Sequence, residues 1–193
     1  MNVVDRARRL IQHPAQEWGV IAAEPHTVQG LYTTYVMILA AIPAVSFFIG
    51  FSIVGNSMLG MGYRVPIAYG VAHMISQYVL SLGLVYVLAV LIDALAQQFG
   101  GEKNFIQSFK VAAFAPTAVW LAGVFYVIPA LSILFLLGLY SLYLLYTGLP
   151  ILKQVPDEKA VPFVAIVLIA AIVLGVLVSA LAALMIPTTV RGF

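Results

Sequence analysis

The sequence contains no cysteine and few charged residues. Among its 193 residues there is no Cys, which excludes disulfides, thiol chemistry and thiolate metal ligands. Only 8% are Asp, Glu, Lys or Arg, whereas a soluble domain has about a quarter. Since 63% are hydrophobic and the mean hydropathy is +1.08, there is too little polar surface to cover a water-soluble globule. The composition therefore predicts one domain that crosses a membrane several times.

Sequence motifs for catalysis and metal binding are also missing. There is no HExxH motif, no carboxylate pair at metal-binding spacing and no serine nucleophile elbow. The formal net charge of +2 argues against nucleic acid as a partner. The basic start is followed by polar residues instead of an apolar core, so we expect no secretory signal there. We also expect no enzyme, no metal and no cofactor.

What the sequence does have is a series of long apolar runs. The second would be about 50 Å long if fully helical, while a span needs only about 30 Å. Pro43 lies in the middle of the first run and predicts a kink. We predict an all-α polytopic membrane protein, with an amphipathic interfacial segment over residues 1–30 and a five-span domain over residues 31–193. The predicted spans are 31–55, 67–99, 111–127, 130–147 and 163–186.

The N-terminal segment is predicted to begin with an amphipathic helix. At about 100° per residue, the apolar residues of 3–11 cover one arc, and Arg6, Arg8 and Arg9 lie on the opposite arc. Trp18, in a second short helix, suits the headgroup layer. Two interpretations stay open: the segment binds a partner or anionic lipid, or it only lies on the membrane and orients the bundle.

The positive charges are divided unequally between the two ends of the predicted spans. Of the nine Lys and Arg residues, seven fall on the N-terminal side and two on the other. Because cytoplasmic loops are enriched in Lys and Arg, we expect a cytoplasmic N-terminus and a C-terminus outside. The seven are Arg6, Arg8, Arg9, Lys103, Lys110, Lys153 and Lys159, and the two are Arg64 and Arg191.

One acid, Asp93, lies inside the second apolar run, one to two turns from its predicted cytoplasmic edge. On a helix, Tyr86, Asp93 and Gln97 fall within about 60° of one another and form one polar stripe. One interpretation is a polar site open to the cytoplasm, with Lys110 or Lys103 as the partner of the acid. The other is a structural ion pair that fixes the cytoplasmic loop.

A second candidate pair, His73 and Gln77, lies roughly on the opposite face of the same run. Because the two residues are four apart, they are neighbours on a helix surface. They could bind a proton, a metal or a substrate. Alternatively, they make a hydrogen bond between helices near the outer end of the bundle.

Several segments resemble a known family. FGGEKNFIQSFKVAAFAP (99–116) and LYLLYTGLPILKQVPDEKAV (142–161) are similar to segments of the Yip family of Ypt/Rab-interacting membrane proteins, in particular its bacterial branch. The PAQEW and ILAAIPAVSFFIG stretches resemble it as well. The resemblance implies five helices, a cytoplasmic N-terminus and a location in the bacterial inner membrane. Eukaryotic members act in vesicle traffic and bind prenylated small GTPases and one another. Their long cytoplasmic N-terminal region is not seen here, so neither GTPase binding nor any catalytic residue is carried over.

Two functional hypotheses follow from the sequence. The first is a non-enzymatic inner-membrane protein that acts as a scaffold, a trafficking-like factor or a membrane-organising factor. Its partners would be membrane lipids, a second copy of the chain or another membrane protein. The second is a transporter or channel for a small solute or ion, with a cytoplasm-facing cavity around Asp93. A wet cavity at this acid would favour transport, and a dry, closely packed bundle would favour the first hypothesis.

Overall fold

The computed structural model describes residues 2–55 and 64–184, and every regular element in these ranges is helical. The all-α prediction is confirmed. The end of the fifth predicted span, residues 185–186, and Arg191 lie outside the described residues. The α-helices are α1 (Val3–Gln12), α2 (Pro14–Ala23), α3 (Val28–Leu31), α4 (Met37–Phe48), α5 (Ile67–Ala96), α6 (Phe105–Phe114), α7 (Thr117–Ala122), α8 (Tyr140–Lys153) and α9 (Asp157–Leu184).

Five helical segments of the described chain are long and apolar enough to cross a membrane, as predicted. The third begins at Phe105, six residues before the predicted start at 111, and the fourth continues to Lys153, six residues beyond the predicted end at 147. Both extensions lie at the same end of the bundle, and both carry polar side chains that pack inward. The five spans are Val28–Val54, Ile67–Phe99, Phe105–Val127, Pro129–Lys153 and Glu158–Leu181.

Several spans depart from regular α-helix along part of their length. Pro43 lies inside α4, which continues through it. The third span passes close to this point, because a Cβ added to Gly123 would lie 2.5 Å from the Cβ of Pro43. A larger residue at 123 would therefore push the two spans apart. The first span contains π-helical turns at Tyr32–Val36 and Ile49–Val54, and 3₁₀-helix is found at Gln97–Phe99, Gly123–Val127 and Pro129–Leu139.

The core centres on an aromatic cluster around Phe114, which is fully buried. Its ring centroid lies 4.6 Å from that of Tyr35 in the first span and 6.4 Å from that of Trp18 in α2. The Tyr35 hydroxyl is 2.7 Å from Oγ1 of Thr117, so the polar end of this ring is satisfied inside the bundle. The core thus joins the N-terminal helices to the spans.

The N-terminal helices form a hairpin that packs against the bundle. Asn2 caps α1 by accepting a hydrogen bond from the backbone N–H of Val4 at 3.0 Å. Leu10 of α1 and Trp18 of α2 are fully buried. A Cβ added to Gly148 would lie 2.3 Å from the Trp18 ring, so α2 approaches α8 through the space left by a missing side chain.

Candidate functional site

Asp93 belongs to a buried ionic network at the end of the bundle, and its partner is Lys153. The Lys153 ammonium lies 3.0 Å from Oδ1 of Asp93, and the hydroxyl of Ser108 donates to the same oxygen at 3.1 Å. The Lys153 side chain is 0% exposed and that of Asp93 11%. The prediction that Asp93 pairs with Lys110 or Lys103 is therefore wrong.

The ammonium of Lys153 has all its donors occupied within the protein. It donates to Asp93 at 3.0 Å, to Oγ of Ser108 at 2.8 Å and to the carbonyl of Asn104 at 3.1 Å. A lysine ammonium has three donors, so this group is saturated. The network joins the end of α5, the start of α6 and the end of α8, and it fixes the position of these three helices.

The loop after the second span holds this network together. Gly100 ends the helix as a C-cap in a left-handed conformation, with φ 77°, which glycine adopts without steric cost. Gly101 then runs against the end of α8, where an added Cβ would lie 2.8 Å from the Lys153 carbonyl oxygen. The same carbonyl accepts from the N–H of Glu102 at 2.9 Å. Asn104 finally caps α6 by accepting from the N–H of Gln107 at 3.3 Å.

The other residues of the predicted polar stripe do not join Asp93. Tyr86 is 48% exposed, and its ring packs against Phe105 at a centroid distance of 5.6 Å. Gln97 and Lys103 are both exposed. The helical angle places Tyr86 and Gln97 near Asp93 on a projected wheel, but α6 and α8 cover only the part of that face that contains the acid.

Lys110 lies in a second polar cluster, at the attachment of the N-terminal hairpin. Its ammonium donates to the carbonyls of Ala22 at 3.1 Å and Glu24 at 2.8 Å. These carbonyls belong to the C-terminal end of α2, where backbone acceptors have no helical partner and a cation is favourable. Lys110 therefore fastens α2 to the third span and has no contact with Asp93 among its described hydrogen bonds.

Arg6 is the centre of this second cluster. Its guanidinium pairs with Glu17 and also contacts both carboxylate oxygens of Glu24, at 2.6 and 2.7 Å. The Nε2 of His26 lies 3.0 Å from Oε2 of Glu24. Arg9, half-exposed, adds a contact of 3.1 Å to Glu17. Two arginines of the hairpin and the imidazole of His26 thus share two carboxylates.

These contacts shift the pKa values of Glu24 and His26, which lie outside the spans. Burial acts to raise the pKa of Glu24, but the hydrogen bond and charge of Arg6, helped by His26, leave that pKa lowered. Burial lowers the pKa of His26, and the charges of Lys110 and Arg6 add to this, against the opposing effect of Glu24. His26 is therefore held neutral over a wider pH range than an exposed histidine.

Two of the four residues predicted at the lipid surface are buried instead. Arg6 is 4% exposed and Trp18 is 0% exposed. A helical-wheel projection places Arg6 on the polar face of α1. In the structure α2 folds back over that face, and Glu17 and Glu24 supply carboxylates to Arg6. Arg8 and Arg9 are exposed, and their contact with lipid stays a prediction.

The predicted pair His73 and Gln77 lies away from both clusters. Both side chains are half-buried, and the His73 ring packs against Phe47 of the first span at a centroid distance of 4.9 Å. Within residues 2–55 and 64–184, no group of three or more His, Cys, Asp or Glu side chains could hold a metal ion. The roles considered for this pair are not tested by these contacts.

Sequence reasoning missed most of the residues that build the two clusters. Lys153 and Ser108 were placed outside the spans, although the charge count put Lys153 at the same end of the bundle as Asp93. Glu17 and Glu24 carry a weak signal, since acids seven residues apart across one short helix share a face. Their pairing with Arg6 depends on how the hairpin closes, which no local pattern specifies.

Comparisons with known proteins identify the family of the chain. A family model described as the Yip1 domain matches residues 8–180. The protein named inner membrane protein YohC, from Escherichia coli K12 and from Escherichia coli O6:H1, is 29% identical over 160 residues, which cover 80% of this chain and 82% of the relative. No solved structure gives a significant match. The earlier resemblance is confirmed, and this five-span helical membrane protein belongs to the Yip1 domain family.

Proposed function

We propose that this protein is a multi-pass protein of the bacterial inner membrane that acts without catalysis, as a scaffold for lipids or other membrane proteins. The similarity to an inner membrane protein of E. coli supports the location. The unequal distribution of Lys and Arg supports an N-terminus in the cytoplasm and a C-terminus outside. The partners are membrane lipids, a second copy of the chain or another membrane protein.

The closed network around Lys153 is the observation that carries this proposal. A carboxylate that binds and releases protons or cations during transport must become accessible to them. Asp93 is instead paired with a fully buried ammonium and with the hydroxyl of Ser108. This arrangement fits a residue that fixes helix positions, and it weighs against the transporter hypothesis.

Flux through reconstituted vesicles tests the absence of transport. We expect liposomes that contain the protein to leak protons, sodium and potassium no faster than empty liposomes. The matched variant is Asp93→Asn, which should show the same background rate. A flux above background from the parent protein would by itself establish transport and overturn the proposal, because loss of flux in Asp93→Asn also follows from the destabilisation expected of that variant.

Site-directed crosslinking tests the scaffold role directly. The chain has no native cysteine, so a single Cys with a photoreactive label reports one surface. We expect discrete protein or lipid adducts in native membranes from Gln16→Cys, which is exposed on α2, and none from Ala112→Cys, which is fully buried. If Gln16→Cys and labels placed on each exposed helix give no discrete adduct, the scaffold role is wrong.

Compartment-specific reporters at the two ends test the orientation. We expect a reporter on the N-terminus to be active in the cytoplasm and one on the C-terminus to be active outside it. Activity of both reporters in one compartment would contradict both the orientation and the odd number of crossings.

A further inference from the structure

The N-terminal hairpin, which consists of α1 and α2, covers one surface of the third and fourth spans. Trp18 packs edge-on against Phe114, with ring centroids 6.4 Å apart, and also lies over Gly148. At the turn of the hairpin, the hydroxyl of Tyr140 donates to the carbonyl of Ile11 at 2.9 Å. The covered surface is therefore largely apolar, and detachment of the hairpin would expose it.

The hairpin is attached through a short hinge, residues 24–27, where the ionic contacts of the second cluster converge. Glu24 accepts from Arg6 of α1 and from His26 of the hinge itself. Lys110 of α6 donates to the backbone carbonyl of Glu24 at 2.8 Å. The imidazole also lies against the ring of Phe114, with centroids 6.2 Å apart. His26 thus contacts Glu24 of the second cluster and Phe114 of the core, and it is itself part of the hinge.

We propose that the hairpin is a pH-sensitive cover, which protonation of His26 detaches from the third and fourth spans. In its neutral form, the ring can donate from Nε2 to Glu24 without adding a charge. The protonated ring brings a third cation into a half-buried site that already contains Arg6 and Lys110. The nearby carboxylate of Glu24 is shared with Arg6 through two contacts, so it compensates the new charge incompletely.

The lowered pKa of His26 predicts the same direction, namely that acid weakens the docking of the hairpin. Burial, Lys110 and Arg6 lower the pKa of His26 below its ordinary value of 6.5. A group with a lowered pKa in the folded state contributes stability above its unfolded pKa, and this contribution is lost as the pH falls through the folded pKa. Acidification below 6.5 therefore weakens the docking, while neutral pH preserves it. This mechanism is independent of the scaffold role.

The fluorescence of Trp18 measures docking directly. The chain has two tryptophans, so a Trp120→Phe background leaves Trp18 as the sole emitter. In nanodiscs, we expect acrylamide quenching of Trp18 to increase at least about twofold as the pH falls from 8 to 5. Hydrogen exchange of the α2 amides should accelerate over the same range, and that of the α5 amides should not.

Three histidine variants separate this mechanism from a general effect of acid. His26→Gln keeps an amide donor for Glu24 but cannot titrate, so its quenching should stay low at pH 5. His13→Gln, at the exposed turn of the hairpin, and His73→Gln, near the other end of the bundle, should respond to acid like the parent. A flat response of the parent would overturn the proposal, and so would an acid response that persists in His26→Gln.

Discussion

Replacing Lys153 with Met removes one charge of the buried pair and leaves Asp93 with the hydroxyl of Ser108 as its described partner. The opposite change, Asp93→Asn, leaves an ammonium in a position that is 0% exposed. Breaking a buried pair from one side costs about 3 to 5 kcal/mol, because an uncompensated charge stays behind. We expect Asp93→Asn to be the more costly of the two, since the carboxylate of Asp93 is 11% exposed and can be partly rehydrated.

The double variant, Asp93→Asn with Lys153→Met, gives the decisive comparison. It leaves no charge at positions 93 and 153, and it loses mainly hydrogen bonds to Ser108 and to the Asn104 carbonyl, which are worth about 1 kcal/mol each. We therefore expect the summed destabilisation of the two single variants to exceed the destabilisation of the double variant by roughly 3 kcal/mol or more.

The parent, the two single variants and the double variant form a double-mutant cycle, and steric trapping in bicelles measures their free energies of unfolding. Lys103→Met, in the exposed loop next to the network, is the matched control and should change stability by less than about 0.5 kcal/mol. If the costs of the two single changes add to that of the double variant within about 0.5 kcal/mol, Asp93 and Lys153 are not coupled. That result would refute the reasoning about the network and reopen Asp93 as a solvent-facing site.

Three further predictions concern the loop and the hairpin. Gly101→Ala should destabilise the protein by about 1 to 3 kcal/mol, because its Cβ would lie 2.8 Å from the Lys153 carbonyl oxygen; thermal unfolding measures this, and an unchanged Tm would contradict it. Gly148→Leu should displace Trp18, seen as a red shift of its emission, while the same change at Gly175, which has open space around it, should leave the emission unchanged. In the His26→Gln background, which keeps the hairpin docked in mild acid, Glu24→Gln should flatten the pH profile below the ordinary carboxyl pKa of 4.5, because the contribution of Glu24 is complete above 4.5 and is lost as the pH falls through its lowered pKa. Proteolysis of the hinge measured against pH checks this, and an unchanged profile would contradict it.

The spans could be predicted from the sequence because the apolar runs are long and few charges interrupt them. The ends of the third and fourth spans could not. Residues 147–150 are Thr, Gly, Leu and Pro, which is a composition typical of a turn. The helix nevertheless continues through Pro150, because α8 packs against α2 and α6 over this stretch. Lys153 was therefore assigned to a loop, and the partner of Asp93 was missed.

Arg6 shows a second limit of reasoning from one helix at a time. A helical wheel finds the polar face of α1 correctly, but it cannot tell whether water or another helix covers that face. The turn at residue 13 places α2 against it, and Glu17 and Glu24 then make the burial of Arg6 possible. Pairings of this kind depend on tertiary contacts between residues 11 and 18 positions apart.

The length of the second span explains how an ionic network can exist in this bundle at all. Its 33 residues exceed the need of a perpendicular crossing by about 13, or roughly 20 Å. Asp93 lies in the last turns of that span, and its partners come from the first turn of α6 and the last turn of α8. If the excess length projects at this end, the network lies outside the hydrocarbon layer. A charged side chain costs less free energy there than at the centre of the bilayer. The N-terminal hairpin is held at this end through Lys110 and reaches Tyr140 inside the fourth span, so it covers the third and fourth spans on that side.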